Sequence, residues 1–315
     1  MTGSLYVDGY DVYTQFGMYV VSGGWNELVA FPPLKPVKSN DWQEEDGIEA
    51  DLSEPVLNTR EVSIKFAVVG LYSSLFDFLD IISDGAYHIF NCAAIGRVYR
   101  LRLTQQPNLK ALKLLGQATL KFADDFPLDD YVYTPPTSCL AQAESYLLDG
   151  TPFSDYGVRV LKGTYDEIAK SAAVKPNLLR NINSVAGAVY DPASVTFKSK
   201  DVKLFCLMRA NGLEELWRNY DALLYDLTRP YERSLWVDDF DRDFNCYYKS
   251  CQVTKFFPSD RIWLQFTLTV TFTQDFRIEE NIILATEDGI VVCTEDGKNA
   301  IDMKPDRIQQ PRNNV

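Results

Sequence analysis

Along Arg60–Phe66, Val62, Ile64 and Phe66 alternate with Glu61, Ser63 and Lys65. A period of two predicts a strand with one buried face. A similar stretch follows 140 residues later: Gly47, Asp51, Arg60 and Val62 match Gly187, Asp191, Lys200 and Val202. After each strand the apolar period lengthens to that of a helix. Leu71, Leu75, Phe78, Leu79 and Ile82 share one face in the first copy. Leu213, Leu216, Trp217, Tyr220, Leu224 and Leu227 do so in the second. Each copy closes on a long strand, "ATLKFADDF" at 118–126 and "LTVTFTQDF" at 268–276, an offset of 150.

The openings of the copies match too. Asp8-Gly9 corresponds to Asp149-Gly150 at offset 141. Gly17, Gly23 and Lys35-Pro36 correspond to Gly157, Gly163 and Lys175-Pro176 at offset 140. One copy therefore reads as a strand with a D-G turn, a strand, a long polar excursion, a strand, a helix and two strands. This predicts an α+β fold, mainly antiparallel β, built from two tandem units that each lay one helix on a sheet. The expected domains are 1–126 and 140–276. The Pro-rich segment 127–139 is expected to be the linker. In residues 277–315 the phrase T-E-D-G occurs twice between apolar runs, which predicts a C-terminal β-hairpin and tail.

A length of 315 residues suits about two domains. At 46% apolar and 24% charged, the chain can build cores. The 18 Tyr and 18 Phe favour strands. Every part is acidic: 18 acids against 10 bases in 1–138, 18 against 16 in 139–276, and 8 against 5 in 277–315. That balance argues against attractive contact with nucleic acid and fits a surface that repels it. The six cysteines have no zinc spacing and are expected to be reduced and mostly buried. No signal peptide or transmembrane run is read, so the expectation is synthesis in a cytosol without export by a signal of its own, and no membrane partner.

The search for chemistry nominates no catalytic, cofactor-binding or metal-binding residue. The single histidine, His88, follows a D-G turn among aromatics and reads as a strand residue. Gly23-Gly24 lacks a phosphate-loop context and reads as a turn. Asp41, Glu44, Glu45, Asp46, Glu49, Asp51 and Glu54 form an acidic run whose counterpart in the second copy is almost uncharged. It is expected to be a solvated, mobile loop, with a charged contact surface as the alternative. "WVDDFDRDFNCYY" at 236–248 mixes acids and aromatics, as a strand with one wet face or a sugar-binding surface would.

The opening "YVDGYDVYTQFGMYV", the K-P before a long loop, and "REVSIKF" followed at once by a helix resemble the tail-tube and distal tail proteins of tailed bacteriophages. The resemblance covers 4–126 and, more weakly, 145–276. It implies that each unit is a β-sandwich or split barrel. It further implies a structural protein of the virion tail and no enzyme: a homo-oligomeric ring, a hexamer in preference to a trimer, around the DNA channel, joining the tail tube to the baseplate. DNA would pass without specific binding. Two units in one chain also fit a trimeric baseplate hub. From the residues alone, a carbohydrate-binding β-sandwich is the alternative outside that class.

Overall fold

A computed structural model describes residues 1–69, 73–111, 115–129, 131–138, 140, 142–176, 186, 195–259 and 261–274. The expected C-terminal hairpin lies outside these residues, as do Gly187, Asp191 and most of the second polar excursion. Residues Met1–Phe276 form one compact unit.

The first half runs β1 (Tyr6–Val7), β2 (Tyr10–Asp11), α1 (Val12–Phe16), β3 (Met18–Val20), α2 (Asn26–Val29), β4 (Ser39–Asn40), β5 (Glu49–Ala50), β6 (Arg60–Val69), α3 (Ser73–Ile82), β7 (His88–Cys92), β8 (Arg97–Ala111) and β9 (Leu115–Asp124). The second half runs β10 (Tyr146–Leu148), β11 (Thr151–Pro152), β12 (Val158–Val160), α4 (Thr164–Ala169), β13 (Lys200–Ala210), α5 (Leu213–Leu227), β14 (Arg233–Val237), β15 (Arg242–Phe257) and β16 (Ile262–Phe272). The fold is α+β and mainly β. Each half contributes a seven-stranded sheet, ordered β2-β1-β7-β8-β9-β6-β3 and β11-β10-β14-β15-β16-β13-β12. Element by element, the two orders are the same, and every pairing is antiparallel.

The matched residues explain the matched backbone. Asp8 and Gly9 have φ of 49° and 87°, and Asp149 and Gly150 have 49° and 81°. Two consecutive left-handed residues are what a tight hairpin between twisted strands needs. Gly17 ends α1 at φ 60° beside the Val69 carbonyl, and Gly157 sits at φ 75° beside that of Arg209, again 140 residues on. Strand alternation fills the core: Val62, Ile64 and Phe66 are buried, as are Val202, Leu204 and Cys206.

Three features differ from the sequence reading. Three strands follow each helix, because the five-residue β7 and β14 precede the long strands. Residues 236–248 are two strands: a 3₁₀ turn at Asp238–Phe240, closed by Asp241 at φ 48°, joins β14 to β15. Finally, Arg60 pairs with Asp124 and Lys200 with Phe272, so the closing strands match at offset 148. The phrase match at 150 is two residues out. A slip of two keeps every side chain on its face, so the apolar pattern cannot expose it.

Candidate interaction surface

Each D-G turn is fastened by its own aspartate. Asp8 Oδ1 accepts from the Ile89 backbone at 2.8 Å, and Oδ2 lies 2.6 Å from His88 Nδ1. In the second half, Asp149 Oδ1 accepts from the Ser234 backbone at 2.9 Å, and Oδ2 accepts from Arg233 Nη1 at 2.8 Å. His88 therefore stands where the second half has Arg233. Its Nε2 is 3.0 Å from Asp84 Oδ1, so both ring nitrogens are committed to carboxylates. Burial alone would pull the imidazolium pKa down, but hydrogen bonds and charge from Asp8 and Asp84 outweigh it and leave it raised. Sequence reasoning placed His88 on a strand and gave it no partner, since Asp8 is 80 residues away.

Arg60 and Lys200 each tie a short helix to a sheet. Arg60 Nη1 donates to the carbonyls of Leu28 at 2.8 Å and Ala30 at 3.0 Å, at the end of α2. Lys200 Nζ donates to the carbonyls of Ile168 and Lys170, at the end of α4. A cation there satisfies carbonyls that the helix leaves open and complements its dipole. Arg60 is also ion-paired with buried Asp124, whose place in the second sheet is taken by Phe272.

The acidic run is pinned to the second half through residues 41–43 and 46–48, contrary to the expectation of a mobile loop, while Asp41, Glu44, Glu45, Glu49, Asp51 and Glu54 are solvated as expected. Lys175, 1% exposed, donates from Nζ to the carbonyls of Trp42 at 2.6 Å and Gly47 at 2.7 Å, and sits 2.6 Å from Asp41 Oδ1. Three donors meet three acceptors. The backbone continues the contact: Gly47 donates to the Phe197 carbonyl at 2.7 Å and Ile48 to that of Thr273 at 2.9 Å. Asp46 Oδ1 accepts from the Phe197 amide at 2.8 Å, and Thr196 Oγ1 donates to the Gln43 carbonyl at 2.7 Å.

Helix α5 makes a second part of the junction between the halves. Trp217 Nε1 donates to the Ile95 carbonyl at 2.7 Å, and the Tyr220 hydroxyl to that of Val29 at 2.9 Å. Tyr220 stacks on Phe31 with centroids 3.9 Å apart. Arg97 pairs with Asp221 and lies 4.3 Å from the Trp217 ring centroid. From the second sheet, the Tyr248 hydroxyl donates to the Pro32 carbonyl at 2.8 Å. The expected linker also lies on α5: Asn219 exchanges two 3.0 Å hydrogen bonds with the Thr137 backbone, and the Tyr133 hydroxyl donates to Asp226 at 3.1 Å. A cavity of about 440 Å³ opens between the halves, bounded in part by Arg60, Arg97, Asp124 and Asp221. Its three arginines are each paired with one of its three aspartates, Arg60 with Asp124, Arg97 with Asp221 and Arg100 with Asp129, so these six groups offer no uncompensated charge to a ligand.

Cys92, Cys206 and Cys246 are buried, and burial pushes the thiols of Cys92 and Cys251 up to about 12. Among the described residues, no group of three or more His, Cys, Asp or Glu is placed to hold a metal ion. No described helix is long and apolar enough to cross a membrane. The groups assembled here form contacts between two copies of one fold. No family model matches the chain, and no curated protein matches it. Among solved structures, the chain is similar to the crystal structure of the SPP1 Dit (gp 19.1) protein, described as a paradigm of the hub adsorption apparatus in phages infecting Gram-positive bacteria. The two share 12% identity over 85% of this chain and 98% of that one, with a TM-score of 0.29.

Proposed function

We propose that the chain is a structural protein of a bacteriophage tail tip, forming a ring that surrounds the DNA channel and joins the tail tube to the baseplate. In this reading it is no enzyme and takes no cofactor or metal. Residues 1–126 and 140–276 are two tube-like units joined by 127–139. The carrying observation is the duplicated seven-stranded sheet, whose halves meet through unlike surfaces. Such a heterologous contact can repeat from chain to chain, and repetition closes into rings when the rotation allows. The sequence resemblance in "YVDGYDVYTQFGMYV" and "REVSIKF" supplies the tail setting. The net charge of −13 suits a channel that DNA slides through without binding.

The paired units favour a second reading in the same class. Three chains carry six units, so a trimeric hub would present a six-fold lumen. Light scattering and negative-stain imaging of the purified chain separate these readings. A hexameric annulus supports the distal tail role and a trimeric annulus the hub. A monomer with saturable glycan binding overturns both in favour of a carbohydrate-binding protein.

A further inference from the structure

The junction inside the chain defines a second, matching pair of surfaces at its two ends. The second half grips the first with Lys175, Thr196 and Trp217, all buried. Their counterparts in the first half are Lys35, Val56 and Phe76. The first two follow the offset of 140. The third follows the helices, where buried Leu75, Phe78 and Ile82 match buried Leu216, Asn219 and Leu223 at offset 141. All three counterparts are exposed: Lys35 has no side-chain partner among the described residues, and Phe76 is 51% exposed against 7% for Trp217.

The opposite surface shows the reverse pattern. In the first half, Val29 and Ile95 are buried and their carbonyls receive Tyr220 and Trp217. Their second-half counterparts are Ala169 and Phe240. Ala169 is exposed, and half-exposed Tyr165 stacks on Phe240 with centroids 4.8 Å apart. Lys35, Val56 and Phe76 at one end and Ala169 at the other are therefore exposed where their equivalents are covered internally, and Phe240 is covered only in part, by Tyr165 and Phe244.

We infer that two copies of this chain join head to tail, the second half of one, through the face around Ala169 and Phe240, seating on the Lys35, Val56 and Phe76 face of the next. The occupant is a second copy because the intrachain junction is a built example of the same contact, and the exposed faces continue it. The inference refines the ring reading by naming the joint and its polarity. A tandem array of this kind leaves one unmatched face at each end, which only closure or a further copy covers.

The test measures mass in solution for the full chain and for the variants Phe76→Glu, Val56→Glu and Ala169→Glu, with circular dichroism as a check of folding. All three substitutions are at exposed positions, so Val56→Glu serves if Phe76→Glu fails to fold. The wild type is expected to assemble. Each variant alone is expected to fall to the one-chain mass of 35.8 kDa. An equimolar mixture of a head variant with Ala169→Glu is expected to double that mass, because one intact joint can still form. Variants that assemble like the wild type overturn the joint and leave the ring reading standing. A mixture that stays at one-chain mass overturns the polarity. A wild type at one-chain mass across all concentrations overturns both the joint and the ring.

Discussion

Arg60 and Lys200, 140 residues apart, hold the ends of two equivalent helices, but only Arg60 also neutralises a buried carboxylate, that of Asp124. Their truncations should therefore differ. Arg60→Met leaves Asp124 buried and unpaired and should cost about 3–5 kcal/mol. Lys200→Met leaves only helix-end carbonyls unmet and should cost about 1–3 kcal/mol. Urea unfolding midpoints compare the two, and equal losses would contradict the role given to Asp124.

The pKa of His88 is raised in the folded chain, so its contribution has a definite sign. The stabilisation is fully present below the ordinary histidine value and is lost as pH rises through the raised one. Melting temperature should fall as pH climbs from that ordinary value through the raised folded value. His88→Arg, which copies Arg233, should flatten that fall. A pH profile unchanged by the substitution would remove His88 as its source.

Gly17 and Gly9 both have positive φ, at 60° and 87°, but their surroundings differ. A side chain at Gly17 would collide with the Val69 backbone, whereas one at Gly9 meets nothing within 4 Å. Gly9→Ala should cost about 1–2 kcal/mol for its backbone conformation alone. Gly17→Ala should cost clearly more, as should Gly157→Ala, whose added carbon would lie 2.7 Å from the Arg209 carbonyl. Thermal melts of the three variants give the order.

Lys175→Met should loosen residues 41–48 while leaving both sheets intact. Hydrogen exchange at the Gly47 and Ile48 amides, which donate to Phe197 and Thr273, should accelerate by at least about tenfold, equivalent to roughly 1.4 kcal/mol of lost local protection. Unchanged exchange would mean that the backbone contacts alone hold the loop.

The sequence carries those parts of the fold that local chemistry dictates. The D-G turns, Gly17 with Gly157, and Arg60 with Lys200 were legible because each needs a particular residue type at a particular place. The alternation of Val62, Ile64 and Phe66 was legible for the same reason. The register of β9 and β16 was not, because a two-residue slip preserves inside and outside. The docking of the acidic run was hidden as well. Lys175 and Trp42 are 133 residues apart, and a buried lysine looks like any other lysine in a list of letters. Trp217 and Tyr220 were seen as part of an apolar face, but their hydrogen bonds to Ile95 and Val29 were not, since the partners are backbone groups with no residue signature.

The fastening of residues 41–48 by Lys175 also imposes an order of events during synthesis. The ribosome makes the first half, with its excursion, well before the lysine that secures it. Contacts between residues far apart in sequence form late, after the intervening chain has been made and closed. The nascent first half must therefore wait with the carbonyls of Trp42 and Gly47 without their lysine until the segment carrying Lys175 emerges and folds with β13. During that interval the excursion is open to the same face of a neighbouring nascent chain. Translation speed through the second half would then help decide whether the lysine that closes it belongs to its own polypeptide or to another.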